Sequence, residues 1–404
     1  RVGPGPGPPG PGGRGAGSRR RGGARVTARR LRDGLRPCLA VFLAARIGLS
    51  LASVVAVGLI EPLPPVDVPG RAGPTATTGW HNLVDGTERQ DAVWYLRLAE
   101  EGWSPDDPSA AFFPLYPLAV RVVSWILPGD DLLAALLVSN AAFLGVLLVL
   151  FALTAESFGE RIARRAIVVA ATFPTAFFFL APYSESLFLL FVLLAFRGGR
   201  RDRWAEVAAY GAAAALTRSA GIVLVPAFAL ETLRTGIPAR ARASRLAGTA
   251  AIAIGSLAWF AWWGLEHGRW LAPFDAQRSW QREPTLPWVT VADAISFAFR
   301  HQSYWLLDLA IVTIAIVGFA LALPSLRAPE VAYGSLSLLL PLVDPFPSRP
   351  LLSLPRFVVV IFPALWGLSG VGWGRALPER LVVVTLATGW AISVLLFVNW
   401  RYLF

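Results

Sequence analysis

The chain has 404 residues, is 55% hydrophobic and only 16% charged, and has a mean hydropathy of +0.55. Its apolar residues fall in blocks near the ~20 residues that a spanning helix needs, which argues against a soluble globular domain and for one polytopic membrane domain. All 37 basic residues are arginine, the formal net charge is +11, and a single cysteine, Cys38, excludes an internal disulfide and any Cys-based metal cluster. Arginines that flank spans and touch anionic lipid account for this charge better than nucleic-acid binding does.

In chain order, residues 1–36 are a Gly/Pro/Arg-rich tail with almost nothing to bury, expected to be disordered and cytoplasmic. The tail lacks the apolar core of a cleavable signal peptide. The start at Arg1 without any Met fits a trimmed or misannotated N-terminus, and Arg without Lys fits a GC-rich genome. The single transmembrane domain is expected over 37–404. Its first span is Cys38–Ile60, followed by spans over 131–155, 165–181, 184–197, 204–217, 218–235, 246–265, 304–323, 330–344, 351–371 and 380–399. The fold class this predicts is all-α and polytopic, with about eleven transmembrane helices. The segments 184–197, 204–217 and 330–344 are short for a span and suit tilted or partly re-entrant helices whose ends are covered by protein or water.

Arginine placement orients these spans. With the N-terminus inside, the inner connections carry Arg161, Arg164, Arg165, Arg197, Arg200, Arg201, Arg203, Arg234, Arg240, Arg242, Arg245, Arg327, Arg375 and Arg380, a positive-inside pattern. Two long segments, 61–130 and 266–303, then fall outside. Both are rich in tryptophan (Trp80, Trp94, Trp103, Trp125, Trp270, Trp280, Trp288), which favours the headgroup layer. Residues 90–100 put Ala92, Tyr95, Leu96 and Leu98 near one helical face, with Asp91, Arg97 and Glu100 among the polar positions, so interfacial helices are expected in the first outer loop.

The unusual polar sequences gather on that outer side: Arg89-Gln90-Asp91, Phe112 to Pro117 with Tyr116, Tyr183-Ser184-Glu185-Ser186, Thr217-Arg218-Ser219, His267 to Trp270, Asp344 to Pro347, and Pro355-Arg356-Phe357. A carboxylate early in the first outer loop, Asp91, is placed to take a proton from an attacking hydroxyl; its other reading is a solvated helix-capping acid. Glu185, at a tight outer turn, needs a partner or a ligand, or is the first-turn acid of its helix. Arg218 and Arg356 suit a developing negative charge on a phosphate, or snorkel to headgroups. Arg46, mid-span in the first helix, is expected to pair internally or snorkel. His81, His267 and His301 match no zinc spacing, and Asp106-Asp107 and Asp130-Asp131 read as acidic turns rather than cation ligands. There is no Walker A, no dinucleotide glycine fingerprint and no serine-hydrolase elbow. No cofactor is therefore expected, and a divalent metal has no support in the sequence.

At these residues the chain resembles the PIG-V-like mannosyltransferases, multispanning glycosyltransferases of the GT-C class, over about residues 38–370. The resemblance rests on Asp91-Ala92-Val93-Trp94-Tyr95-Leu96 with Ala99 to Trp103, on Phe112 to Pro117, on Phe173 to Ala176 with Tyr183 to Phe188, and on Leu216 to Gly221. Weaker echoes follow at Phe274 to Gln277 and Pro355 to Phe357. It implies a GT-C-like fold, a polyprenyl-phosphate-linked mannose donor, a lipid or glycan acceptor, an extracytoplasmic active site and inversion at the anomeric carbon. It also implies an essential acid in the first outer loop, here Asp91; the polar motifs above add Arg89, Tyr116, Tyr183, Glu185, Arg218 and Arg356 on the substrate side. Gln90 stands where the family has Trp, and Ala220 where it has Asn. With the Arg-rich, Lys-free composition, the resemblance suggests a bacterial, actinobacterial-type member. A transporter, or another lipid-linked glycan ligase or polymerase, is the alternative; the chain shows no internal repeat of the kind transporters often carry.

Overall fold

In a computed structural model, residues 15–127, 131–279, 282–301, 304–372 and 379–401 are described. Among them the architecture is helical, with only isolated bridges at Val68/Arg71 and Phe346/Arg349. Of the tail expected to be disordered, residues 1–14 lie outside the described residues, and from Gly15 the backbone is helical. Helix α1 runs Gly15–Leu59, α2 Asp91–Glu100, α3 Leu115–Ile126, α4 Asp131–Phe158 and α5 Glu160–Thr172. Next come α6 Glu185–Arg200, α7 Trp204–Thr217, α8 Leu224–Thr232, α9 Ala239–His267, α10 Ala272–Ser279 and α11 Pro287–His301. The chain closes with α12 Tyr304–Ala322, α13 Ala328–Leu339, α14 Leu354–Phe357, α15 Phe362–Leu368 and α16 Glu379–Val398.

Every predicted span contains helix, but among the described residues only five helical runs are long and apolar enough to cross a membrane: Gly34–Leu59, Asp131–Phe158, Ala239–His267, Tyr304–Ser325 and Glu379–Val398. Three segments read as continuous spans are broken. In 165–181, α5 stops at Thr172 and Phe173 turns extended before Pro174, because a residue preceding proline is pushed out of the helical region. In 218–235, Arg218 is extended, and a 3-10 turn intervenes before α8. In 351–371, short helices on either side of Ile361 open at Pro355 and Pro363. Irregular backbone at this depth survives only where protein or water covers it; the breaks near Phe173 and Ile361 are buried, whereas Ser219 and Ile222 in the break after Arg218 are exposed.

Burial of apolar surface does not drive helices together in lipid, so close packing through small residues must. The α7–α9 and α12–α15 contacts are built that way. A Cβ at Gly255 would lie 2.9 Å from the Ala212 backbone, and one at Gly367 would lie 1.7 Å from the Gly318 carbonyl oxygen. Antiparallel α4 to α9 give the bundle two chemically distinct ends. One gathers arginine–carboxylate pairs: Arg200–Glu330, Arg201–Glu156, Arg245–Glu231 and Arg165–Glu379. The other carries α2, the α5–α6 turn, the break after α7 and the turn before α14.

The loop 61–130 is not plain connector. It folds into α2 and α3, with two 3-10 turns before α2 and one, Pro108–Ala111, between the helices. Along α11, the large apolar residues Trp288, Val291, Ile295 and Phe299 are exposed, with the spacing of an amphipathic helix lying at an interface.

Candidate active site

Asp91 opens α2, where a first-turn carboxylate faces the positive end of the helix. The residue before it, Gln90, has φ 54° and ψ −123°, a backbone region that suits glycine. Facing α2 is α14, whose N-cap Ser353 has φ 70°. Non-glycine residues held at positive φ cost of order 1–3 kcal/mol and collect at functional sites. Here two of them aim a pair of side chains at each other: Arg356 Nη1 donates to Asp91 Oδ2 at 2.5 Å. Thr175 Oγ1 donates to the Pro355 carbonyl at 2.7 Å and ties the Arg356 turn to the break after α5.

The pair extends into a network. Arg356 Nε lies 3.2 Å from Glu185 Oε1, and the same carboxylate oxygen accepts from Arg218 Nη1. Arg218 also donates to Ser184 Oγ at 3.0 Å, and Ser184 Oγ lies 2.8 Å from the Tyr95 hydroxyl. The Phe357 ring sits between the two guanidiniums, 5.1 Å from Arg218 Cζ and 5.2 Å from Arg356 Cζ. Two carboxylates and two guanidiniums thus cancel in charge. They differ in access: the Asp91 side chain is 29% exposed and that of Glu185 is 0% exposed. Asp91 is therefore the reachable carboxylate, and Glu185 is the buried one that contacts both guanidiniums.

Of the residues singled out in the sequence, Asp91, Glu185, Arg218 and Arg356 therefore meet at one point. The others sit behind it. Arg89 is 1% exposed and spends its donors on backbone: Nε on Val398 O at 2.8 Å, Nη1 on Asp85 O at 3.1 Å and Glu88 O at 2.9 Å. Burial pulls its guanidinium down to about 10. Its side chain anchors the turn into α2 against the C-terminal segment. The Tyr183 hydroxyl donates to the Arg89 carbonyl at 2.7 Å, while its ring lies 5.5 Å from Arg356 Cζ. Tyr116 is buried, with its hydroxyl 2.7 Å from Ser139 Oγ and its ring edge-on to Tyr95 at 4.9 Å. These tyrosines wall the site and hold its parts; their hydroxyls are already occupied. Arg46 donates to the carbonyls of Leu180 and Leu83, the internal pairing expected of it.

Sequence reading named Tyr95 and Ser184 only within motifs, without a role, and missed Arg282. Tyr95 looked like an apolar-face residue, yet burial pushes its phenol up to about 12 and keeps a proton beside Ser184. Arg282 comes from the second long loop and donates to the Asp344 carbonyl at 2.9 Å and to Ser353 Oγ at 3.5 Å. Nothing in its local sequence marks it, because its neighbours are distant in the chain.

Among the described residues, no three His, Cys, Asp or Glu side chains converge in a way that could hold a metal ion. Asp107 pairs with Arg97 at 2.8 Å and caps Ser109 N, as an acidic turn does. His267 packs on Trp263 and His301 on Trp305. Asp130 lies outside the described residues.

Residues 71–238 match the family described as Mannosyltransferase (PIG-V). Comparison with curated protein sequences returns no match. Among solved structures, the chain is similar to ArnT from Cupriavidus metallidurans bound to undecaprenyl phosphate, with 14% identity, 90% of this chain and 76% of that chain covered, and a TM-score of 0.50. It also matches an Archaeoglobus fulgidus oligosaccharyltransferase tethered with an acceptor peptide, with 13% identity, 89% of this chain and 55% of that one covered, and a TM-score of 0.41. The likeness to ArnT identifies the helical scaffold, and the family match covers the stretch that supplies Asp91, Tyr183, Glu185 and Arg218. The chain accordingly shares the helical membrane fold of ArnT, and its residues 71–238 are similar to the family described as Mannosyltransferase (PIG-V).

Proposed function

We propose that the protein moves a hexose, mannose by its family match, from a polyprenyl-phosphate donor to a lipid or glycan acceptor on the extracytoplasmic face, with inversion at the anomeric carbon. The observation that carries this reading is the contact between one reachable carboxylate, Asp91, and a buried guanidinium, Arg356, that is itself held by Glu185. In the reaction, an acceptor hydroxyl attacks C1 of the sugar and gives its proton to Asp91. The bond from C1 to the phosphate oxygen breaks, and its electron pair stays with the phosphate. That group enters as a phosphodiester with one negative charge and leaves as a monoester with a second, so fixed cations matter more in the transition state than in the ground state. Arg356 and Arg218 supply them.

Two further observations support the setting. The arginine-rich end of the bundle lies opposite the site, which under the positive-inside rule supports an outer position for it. The structurally similar ArnT is bound to undecaprenyl phosphate, a lipid phosphate of the proposed donor class. The test is transfer by the full-length protein in proteoliposomes, supplied with polyprenyl-phosphate mannose or polyprenyl-phosphate glucose and an envelope lipid extract. Mannose transfer with an inverted linkage supports the reading, and wild-type-like transfer by Asp91→Asn overturns the role of Asp91.

A further inference from the structure

The four-residue network is electrically closed: Asp91 and Glu185 against Arg218 and Arg356. A phosphate that relies only on these cations must compete with two carboxylates already bound to them. Arg282 is placed differently. It is half-buried beside Ser353, the N-cap of the helix that bears Arg356, so a continuous line of contacts runs from the second long loop through Ser353 and Arg356 to Asp91. Its two recorded acceptors, a backbone carbonyl and a hydroxyl, orient the guanidinium without neutralising it. Among the described residues, no carboxylate lies within ion-pair distance of it.

Both charges of the central pair reach it. Burial lowers the Arg282 guanidinium below its ordinary value, Asp344 and Asp91 raise it, and Arg356 lowers it. It stays charged, and its unused N–H groups can hold a phosphate in the two-point way open to arginine and not to lysine. Arg89 also has no carboxylate partner among the described residues, but it is buried and bonded to carbonyls.

Resting on the lipid-phosphate reading of the site, we infer that Arg282 is the cation that first receives the donor phosphate and holds it as its charge grows. Arg356 and Arg218 then add their charge in the transition state while positioning Asp91 and Glu185. The second long loop thereby becomes part of the donor site, and Arg282 is a substrate-binding residue that no motif marks.

The experiment measures binding of radiolabelled undecaprenyl phosphate, with unphosphorylated undecaprenol as control, to the full-length protein in nanodiscs. A charged hydrogen-bonding contact of this type corresponds to a loss of about 10- to 100-fold on removal. Arg282→Gln is expected to weaken undecaprenyl phosphate binding by that factor and leave undecaprenol binding unchanged, with Arg282→Lys recovering part of the difference. In the wild-type protein, undecaprenyl phosphate and not undecaprenol is expected to protect Arg282 from phenylglyoxal, a readout that needs no variant to fold. Unchanged phosphate binding by Arg282→Gln, equal loss of both lipids, or an unprotected Arg282 overturns the assignment while leaving the transferase reading intact. A wild-type protein that binds no undecaprenyl phosphate overturns both.

Discussion

Arg356 donates to Asp91 across 265 residues of sequence, and each partner is set by a neighbour with positive φ, Ser353 on one side and Gln90 on the other. This contact joins the start of α2, in the first long loop, to α14.

Replacing Asp91 with Asn keeps its shape and removes the proton acceptor. Acid–base help from a positioned group is worth about 10²- to 10⁴-fold in rate. Asp91→Asn is expected to lower the turnover of sugar transfer by that factor, with membrane insertion and donor binding close to wild type. Turnover within tenfold of wild type would rule Asp91 out as the base.

Glu185 is fully buried and touches both guanidiniums. Breaking a buried ion pair by removing one partner costs about 3–5 kcal/mol, because the other charge is stranded. Glu185→Gln is expected to reduce stability by that order, read as a large fall in thermal midpoint in detergent. In a double-mutant cycle, Glu185→Gln and Arg218→Gln should be strongly non-additive; additive losses would mean that the pair is not coupled in the protein.

Arg89 and Tyr183 separate scaffold from site. Arg89→Ala strips three donated bonds from a buried region and is expected to cost about 3 kcal/mol. Tyr183→Phe loses one, to the Arg89 carbonyl, at about 1 kcal/mol. Both should lower the thermal midpoint while the KM for the donor in the surviving folded fraction stays near wild type. A KM raised tenfold or more with unchanged stability would place these residues on the substrate instead.

Gln90 occupies a conformation that glycine adopts freely. Gln90→Gly is expected to stabilise the protein by about 1 kcal/mol and, by loosening the backbone that aims Asp91, to lower turnover. A simultaneous gain in thermal midpoint and loss of rate is the signature; a loss of stability would show that the strain is not there to be relieved.

Gly367 faces the Gly318 carbonyl with no room for a side chain. Overpacking of a close contact costs about 1–3 kcal/mol and sometimes more. Gly367→Ala should therefore destabilise the α12–α15 contact, measured as a lower midpoint, while Gly58→Ala, where a Cβ meets nothing within 4 Å, should be silent.

Composition and block-wise hydropathy were sufficient for the class of this protein, because a bilayer forces long apolar helices and leaves that length in the sequence. Arginine spacing anticipated the two chemically distinct ends, since charge placement along the chain is read directly. The same local signals named Asp91, Glu185, Arg218 and Arg356 as polar groups out of place in an apolar chain. Only the tertiary structure decided which of them meet, that Asp91 is reachable and Glu185 is not, and that Arg89 is spent on carbonyls. It alone showed that three predicted spans break at the site, because a broken helix is tolerated only where neighbours satisfy its backbone, and neighbours are not written in local sequence. Arg282 is the clearest case: its partners, Asp344 and Ser353, lie 62 and 71 residues away, and its position beside the paired charges arises only when separate loops fold onto the same end of the bundle.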